Sequence, residues 1–133
     1  MRAWHRVVFA VLAATFPATD RLPGLDRERT LSFLSTFTRE VPISMRAVLY
    51  ASVLVFLVTP LVTVRRPVPA LLLGRETLDR HADRLSRHRS YFLRQTMKML
   101  KTVGGLVWGS DPDVRRTLGM RAYGQDPGTW RET

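Results

Sequence analysis

The groups with the widest chemical reach in this sequence are three histidines, His5, His81 and His88. His81 and His88 stand seven residues apart, so a helix presents both on one face. The same spacing separates them by about 10 Å along the axis, too far to share one metal ion. As haem ligands each needs a partner from a facing helix, and no second ligand pair is offered. Exposed or surface-packed histidine is the expectation for all three. Ser86 and Ser90 flank His88, but no apolar strand or tight elbow presents either hydroxyl as a nucleophile. The glycines of GGLVWG, from Gly104 to Gly109, do not follow the dinucleotide fingerprint, and no strand precedes them. Asp111 and Asp113 have the look of paired carboxylates, yet Asp111 before Pro112 is explained as a helix cap. Cysteine is absent. That removes disulfides, thiolate zinc sites, iron–sulfur ligation, cysteine nucleophiles and covalent haem attachment, and leaves the redox compartment open. No catalytic, cofactor-binding or metal-ligating set is expected in this chain.

The 133 residues amount to about one domain, and 45% hydrophobic residues suit a packed core rather than disorder. Lys and Arg number 21 against 11 acidic residues, a formal net charge of +10, and only Lys98 and Lys101 are lysines. Such a balance points to an anionic surface: nucleic acid, anionic lipid or an acidic protein. Nucleic acid is not expected. The aromatics sit inside apolar runs, as in Val7–Val8–Phe9 and Val55–Phe56–Leu57, rather than between basic residues as stacking platforms. Membrane lipid has the stronger case. From Ala47 to Val64 run eighteen residues without a charge, bracketed by Arg46 and by Arg65–Arg66. A span needs about 20 mainly apolar residues, so this run is at the short edge, and Pro60 kinks it. Val53, Leu54, Val55, Phe56, Leu57, Val58 and Leu61 are the residues expected to insert. A buried central helix of a soluble bundle is one alternative. A membrane-dipping hairpin broken at Pro60 and Pro67, with Val68 to Leu73 as its returning arm, is another. Basic residues on both sides leave the orientation open.

Elements that position these residues are all helical, since apolar–polar alternation is missing and Pro and Gly fall between helix-like runs. The expected fold is all-α, a small bundle of four to five helices with one strongly apolar helix or hairpin. One helical domain is expected over 1–120, followed by an irregular tail over 121–133. The first helix covers about Ala3–Thr15. MRAWHR followed by VVFAVLAATFP imitates a signal peptide, but no small-x-small cleavage site precedes Pro17, which favours a retained helix. Asp26 caps a second helix to about Glu40, with Leu31, Phe33, Leu34 and Phe37 on one face. Ser44 is placed to cap the apolar helix. From Glu76 to Val107 the periodicity predicts one long helix, with Leu78, Ala82, Leu85, Phe92, Thr96, Met99, Val103 and Val107 on its apolar side. Arg84, Arg87, Arg94, Lys98 and Lys101 lie opposite as a basic stripe. No acidic residue occurs between Arg84 and Lys101, a unipolar pattern suited to headgroups or an acidic partner. Gly104–Gly105 is expected to loosen or end this helix. Asp111–Pro112 starts a short turn through Leu118, and Gly119 closes it.

The order of these pieces resembles the small helical partner of flavin-dependent alcohol dehydrogenases. That group includes the gluconate dehydrogenase small-subunit family and the helical segment fused to fatty alcohol oxidases of the glucose–methanol–choline (GMC) type. Leu85, Arg89, Ser90, Arg94, Leu100, Lys101, Trp108, Asp111, Pro112, Val114, Leu118 and Gly119 carry the resemblance, within a stretch from about Val7 to Met120. It departs where Val107–Trp108 stands for a tyrosine pair and Met120 for an aromatic. The resemblance implies a non-catalytic subunit beside a larger GMC-type flavoprotein. The FAD and the active site would lie in that partner, and this chain would anchor or stabilise it. Trp108, Asp111, Pro112, Leu118 and Gly119 are then the expected junction. Association with the inner (cytoplasmic) membrane follows, with the side left open. The alternative is a stand-alone basic protein that binds anionic headgroups at a membrane surface.

Overall fold

The structure, a computed structural model, describes residues 2–121. Among these residues seven α-helices follow in order: α1 Arg2–Thr15, α2 Arg27–Glu40, α3 Ile43–Val58, α4 Pro60–Thr63, α5 Arg75–Ser86, α6 Tyr91–Ser110 and α7 Pro112–Thr117. One turn of 3-10 helix, Ala70–Leu72, lies between α4 and α5. No strand occurs among the described residues. The fold is all-α.

Helix α6 is the hub, packing along α3, α1 and α5, with α1 also covering α2. The core is built from Val8, Val11 and Leu12 of α1, Leu34 of α2 and Leu49, Val53 and Phe56 of α3. Leu85 of α5 joins them with Met97, Leu100 and Val103 of α6. Local chemistry sets several boundaries. The Asp26 carboxylate accepts from the Arg29 amide at 2.8 Å, satisfying one of the open donors of the first turn of α2. The Asp111 carboxylate does the same for the Asp113 amide at 2.8 Å, with Pro112 as first residue of α7. Gly119 follows α7 with φ +69°, a left-handed position that glycine takes without a Cβ clash.

Three expectations are corrected. Ser44 does not cap α3: the preceding position is Pro42, with no side-chain bond, and the helix starts at Ile43. The long helix over Glu76 to Val107 is two helices, broken at 87–90. Polar side chains take the backbone there. Ser86 donates to the Asp83 carbonyl, the Ser90 amide donates to His88 Nδ1, and Arg94 donates to the carbonyls of His88 and Arg89. Past the break Phe92 turns to the surface, while Met97 and Leu100 join the expected Thr96, Val103 and Val107 on the buried side. The glycine pair, finally, does not end α6, which continues to Ser110. A Cβ on Gly104 would stand 2.5 Å from the Phe16 ring, so its glycine permits close packing of that ring on the helix.

Candidate functional site

The uncharged run is not one helix. It stops at Val58 and resumes as α4 at Pro60. With 16 residues α3 measures about 24 Å, short of the ~30 Å hydrocarbon core. Among the described residues no helix is long and apolar enough to cross a membrane. A full span is therefore corrected.

What the fold leaves is an uncharged helical run from Ala47 to Val58 that is covered on one side. Leu49, Ser52, Val53 and Phe56 face the core. Ile43, Ala47, Ala51, Leu54 and Val58 follow at intervals of three and four residues on the outer side, all exposed. Val58 is 69% exposed, and Leu61 and Val62 of α4 carry the strip onward at 59% and 61%. Val68, Leu71 and Leu72 return beside it, Leu72 with 73% of its surface in solvent. Of the seven residues expected to insert, Leu54, Val58 and Leu61 are on this strip. Val55 and Leu57 are half-buried, and Val53 and Phe56 are corrected to core residues. The inward arc of α3 packs on α6, which a run with no polar face cannot signal.

A buried histidine holds the bend in this strip. Pro60 has no amide hydrogen, so the carbonyl of Phe56, four residues earlier, loses the donor that an unbroken helix supplies. His81 of α5 replaces it: Nε2 donates to Phe56 O at 2.9 Å. A carbonyl only accepts, so this bond fixes the Nε2–H tautomer, and Nδ1 accepts from the Thr63 hydroxyl at 2.5 Å. The ring is fully buried and lies 4.7 Å from the Phe56 ring. Burial pushes its pKa below the ordinary histidine value, and the Phe56 bond opposes that in part. The expectation of a surface histidine at this position is corrected. Its signal is present in Leu78, His81 and Leu85, which share a face at helical spacing.

Nor does the basic stripe form one row. Arg84 donates to the Thr63 carbonyl at 2.6 Å, closing the end of α4. Arg87 pairs with Asp83 at 3.2 Å, and Arg94 ties the α5–α6 break. Lys98 and Lys101 stay in solvent, beside Ser86, Met97 and Thr102 in a shallow depression of about 400 Å³. At the expected junction, the Trp108 indole donates to the Pro23 carbonyl at 3.0 Å and lies near Phe16. Asp111 is buried as the α7 cap. Both hold the chain to itself. Pro112, Leu118 and Gly119 are exposed.

Catalytic groups do not converge among the described residues, and there no group of three or more His, Cys, Asp or Glu side chains could hold a metal ion. His5 faces a cleft of about 310 Å³ with Arg2, Arg6, Ser32 and Ser35 on α1 and α2, far in sequence from the other histidines. The site this molecule offers is a surface: a bent apolar strip with arginines at its end. In comparisons with protein-family models, curated proteins and solved structures, nothing matches this chain.

Proposed function

We propose that this chain is a non-catalytic helical accessory subunit that seats on a membrane interface through the outer strip of α3 and α4. In this reading it holds a larger GMC-type flavoprotein there, and that partner carries the FAD and oxidises the alcohol. The membrane is the inner (cytoplasmic) one. The strip itself carries the anchoring half of the proposal. Six large apolar side chains, Ile43, Leu54, Val58, Leu61, Val62 and Leu72, are each half or more exposed. Covering them would yield on the order of 1 kcal/mol apiece, about 6 kcal/mol before ordering costs. Arg65 and Arg66, both exposed, follow the strip directly in the chain, and no acidic residue occurs between Glu40 and Glu76. Each arginine near an anionic leaflet adds roughly 1 kcal/mol. Such a face lies in the headgroup boundary without spanning it. The flavoprotein half rests on the resemblance carried by Leu85, Arg94, Trp108, Asp111–Pro112 and Gly119.

Two measurements test the halves separately. In flotation with vesicles of phosphatidylcholine and phosphatidylglycerol, the chain should bind and resist moderate salt. Replacing Leu54 and Val58 with Asp should weaken binding about 30- to 100-fold, as two apolar contacts are exchanged for two charges. Unchanged binding sinks the anchoring half. In a pull-down from the native host, a yellow, alcohol-oxidising protein larger than this chain should co-purify. Recovery of lipid alone favours the stand-alone membrane-surface binder, a reading supported by the solvent-facing Lys98 and Lys101.

A further inference from the structure

The turn that follows α4 is built at a conformational cost. Arg65 has φ +56°, the one positive-φ residue other than glycine among the described residues. The amides of Val64 and Arg66 both donate to the Pro60 carbonyl, at 2.9 and 3.2 Å, which folds the chain back sharply. Helix-ending turns of this kind ordinarily place glycine at the left-handed position, because a Cβ is crowded there. Here an arginine takes the position and a second arginine follows.

Past the turn, Pro67 and Val68 run back along α3 and α4. With Leu54, Val58 and Leu61 opposite, they wall an open groove of about 450 Å³, whose one charged lining residue is Arg66. Neither Arg65 nor Arg66 forms an ion pair with a described acidic residue. A purely apolar occupant would leave that cation unused, and an anion alone would leave the groove unused. An anionic amphiphile uses both. We propose that the groove takes one acyl chain of an anionic membrane phospholipid, with the Arg66 guanidinium group on its phosphate. The proposal rests on the membrane-seating reading above and adds a one-to-one lipid site to it.

The test uses the full chain and soluble single-chain probes below their micelle concentration. Lysophosphatidylglycerol is titrated while the methyl resonances of Leu54, Val58 and Val68 are followed. Saturable one-to-one binding is expected, at least tenfold tighter than for a monoacylglycerol of the same chain or for glycerol phosphate. Arg66→Ala should weaken it about tenfold without changing the fold. Arg65→Gly should raise the melting midpoint by about 3 °C, because it removes a crowded Cβ from a left-handed position, and should leave binding within about twofold. Failure of lysophosphatidylglycerol to bind, while mixed phosphatidylcholine–phosphatidylglycerol vesicles still do, overturns the groove and leaves the membrane seat standing. Failure of both overturns both. Equal affinity for the uncharged monoacylglycerol overturns the role of Arg66.

Discussion

Replacing His81 with leucine should destabilise the protein through one identifiable carbonyl. Leucine fills a similar volume but donates nothing. The Thr63 hydroxyl has a second acceptor, the Thr59 carbonyl at 3.2 Å, so it is not stranded. Phe56 O has no such recourse, because the residue four positions on is Pro60. A buried acceptor left unmade costs about 1–3 kcal/mol, so a loss of about 2 kcal/mol is expected. In a Pro60→Ala background the cost should shrink. Residue 60 then has an amide that can take the Phe56 carbonyl within the helix, and His81 becomes redundant for that bond. The double-mutant cycle should therefore show a coupling of about 1–2 kcal/mol, well above the ~0.5 kcal/mol error of additivity. Urea unfolding of the four proteins, followed by circular dichroism at neutral pH, measures it. If His81→Leu costs as much in the Pro60→Ala background as it does with Pro60 in place, the histidine does not stand in for the missing amide, and the account of the bend is wrong.

Three glycines of α6 should respond differently to alanine. Gly104→Ala drives a Cβ into the Phe16 ring, which Trp108 backs, so about 1–2 kcal/mol of overpacking should outweigh the ~1 kcal/mol helix gain and lower the midpoint. Gly109→Ala meets nothing within 4 Å and should raise it by a few degrees; Gly105→Ala should behave like Gly109→Ala, since its nearest atom is at an ordinary 3.8 Å. A higher midpoint for Gly104→Ala would refute the packing role given to that residue. Stability should also fall on acidification. Burial holds His81 and His5 below the ordinary histidine pKa, so the unfolded chain takes up protons first. The native state keeps its full advantage above pH ~6.5 and loses it as pH drops below that, by at most ~1.4 kcal/mol per unit for each histidine. His81→Leu should remove that residue's share of the slope, and a protein that gains stability on acidification would contradict the assignment.

Features decided within a few residues were legible in the sequence. Asp26, the Asp111–Pro112 pair and Gly119 act on backbone groups no more than a turn away, and each does what its type suggests. The all-helical class was legible for the same reason. Features decided by distant partners were not. The α5–α6 break hides in a continuous helical period, because Ser86, His88 and Arg94 interrupt the backbone without a Pro or Gly to mark the place. Gly104 reads as a helix stop until Phe16, far earlier in the chain, is seen against it. In α3 the apolar run has no polar face, so no pattern separates Val53 and Phe56, which are buried, from Leu54 and Val58, which are not.

The charges were the least legible part, and the structure explains why. A stripe of one sign along a helix suggests one ligand, but Arg84 and Arg94 spend their guanidinium groups on carbonyls left open where helices end. Helix breaks create such carbonyls, and arginine reaches them with several donors at once. A chain with breaks after α3, α4 and α5 therefore consumes basic residues internally. The cations that stay free of such work are the ones able to meet an outside anion. Arg65 and Arg66 are of that kind, and they stand where the exposed apolar strip turns back on itself. Pro60 thus has two linked effects. It shortens α3 below the length of a span, and it bends the apolar run so that a groove forms with Arg66 in its lining. The same residue obliges α5 to supply a donor through His81. The bend in the exposed apolar strip and the buried histidine are consequences of one missing amide hydrogen.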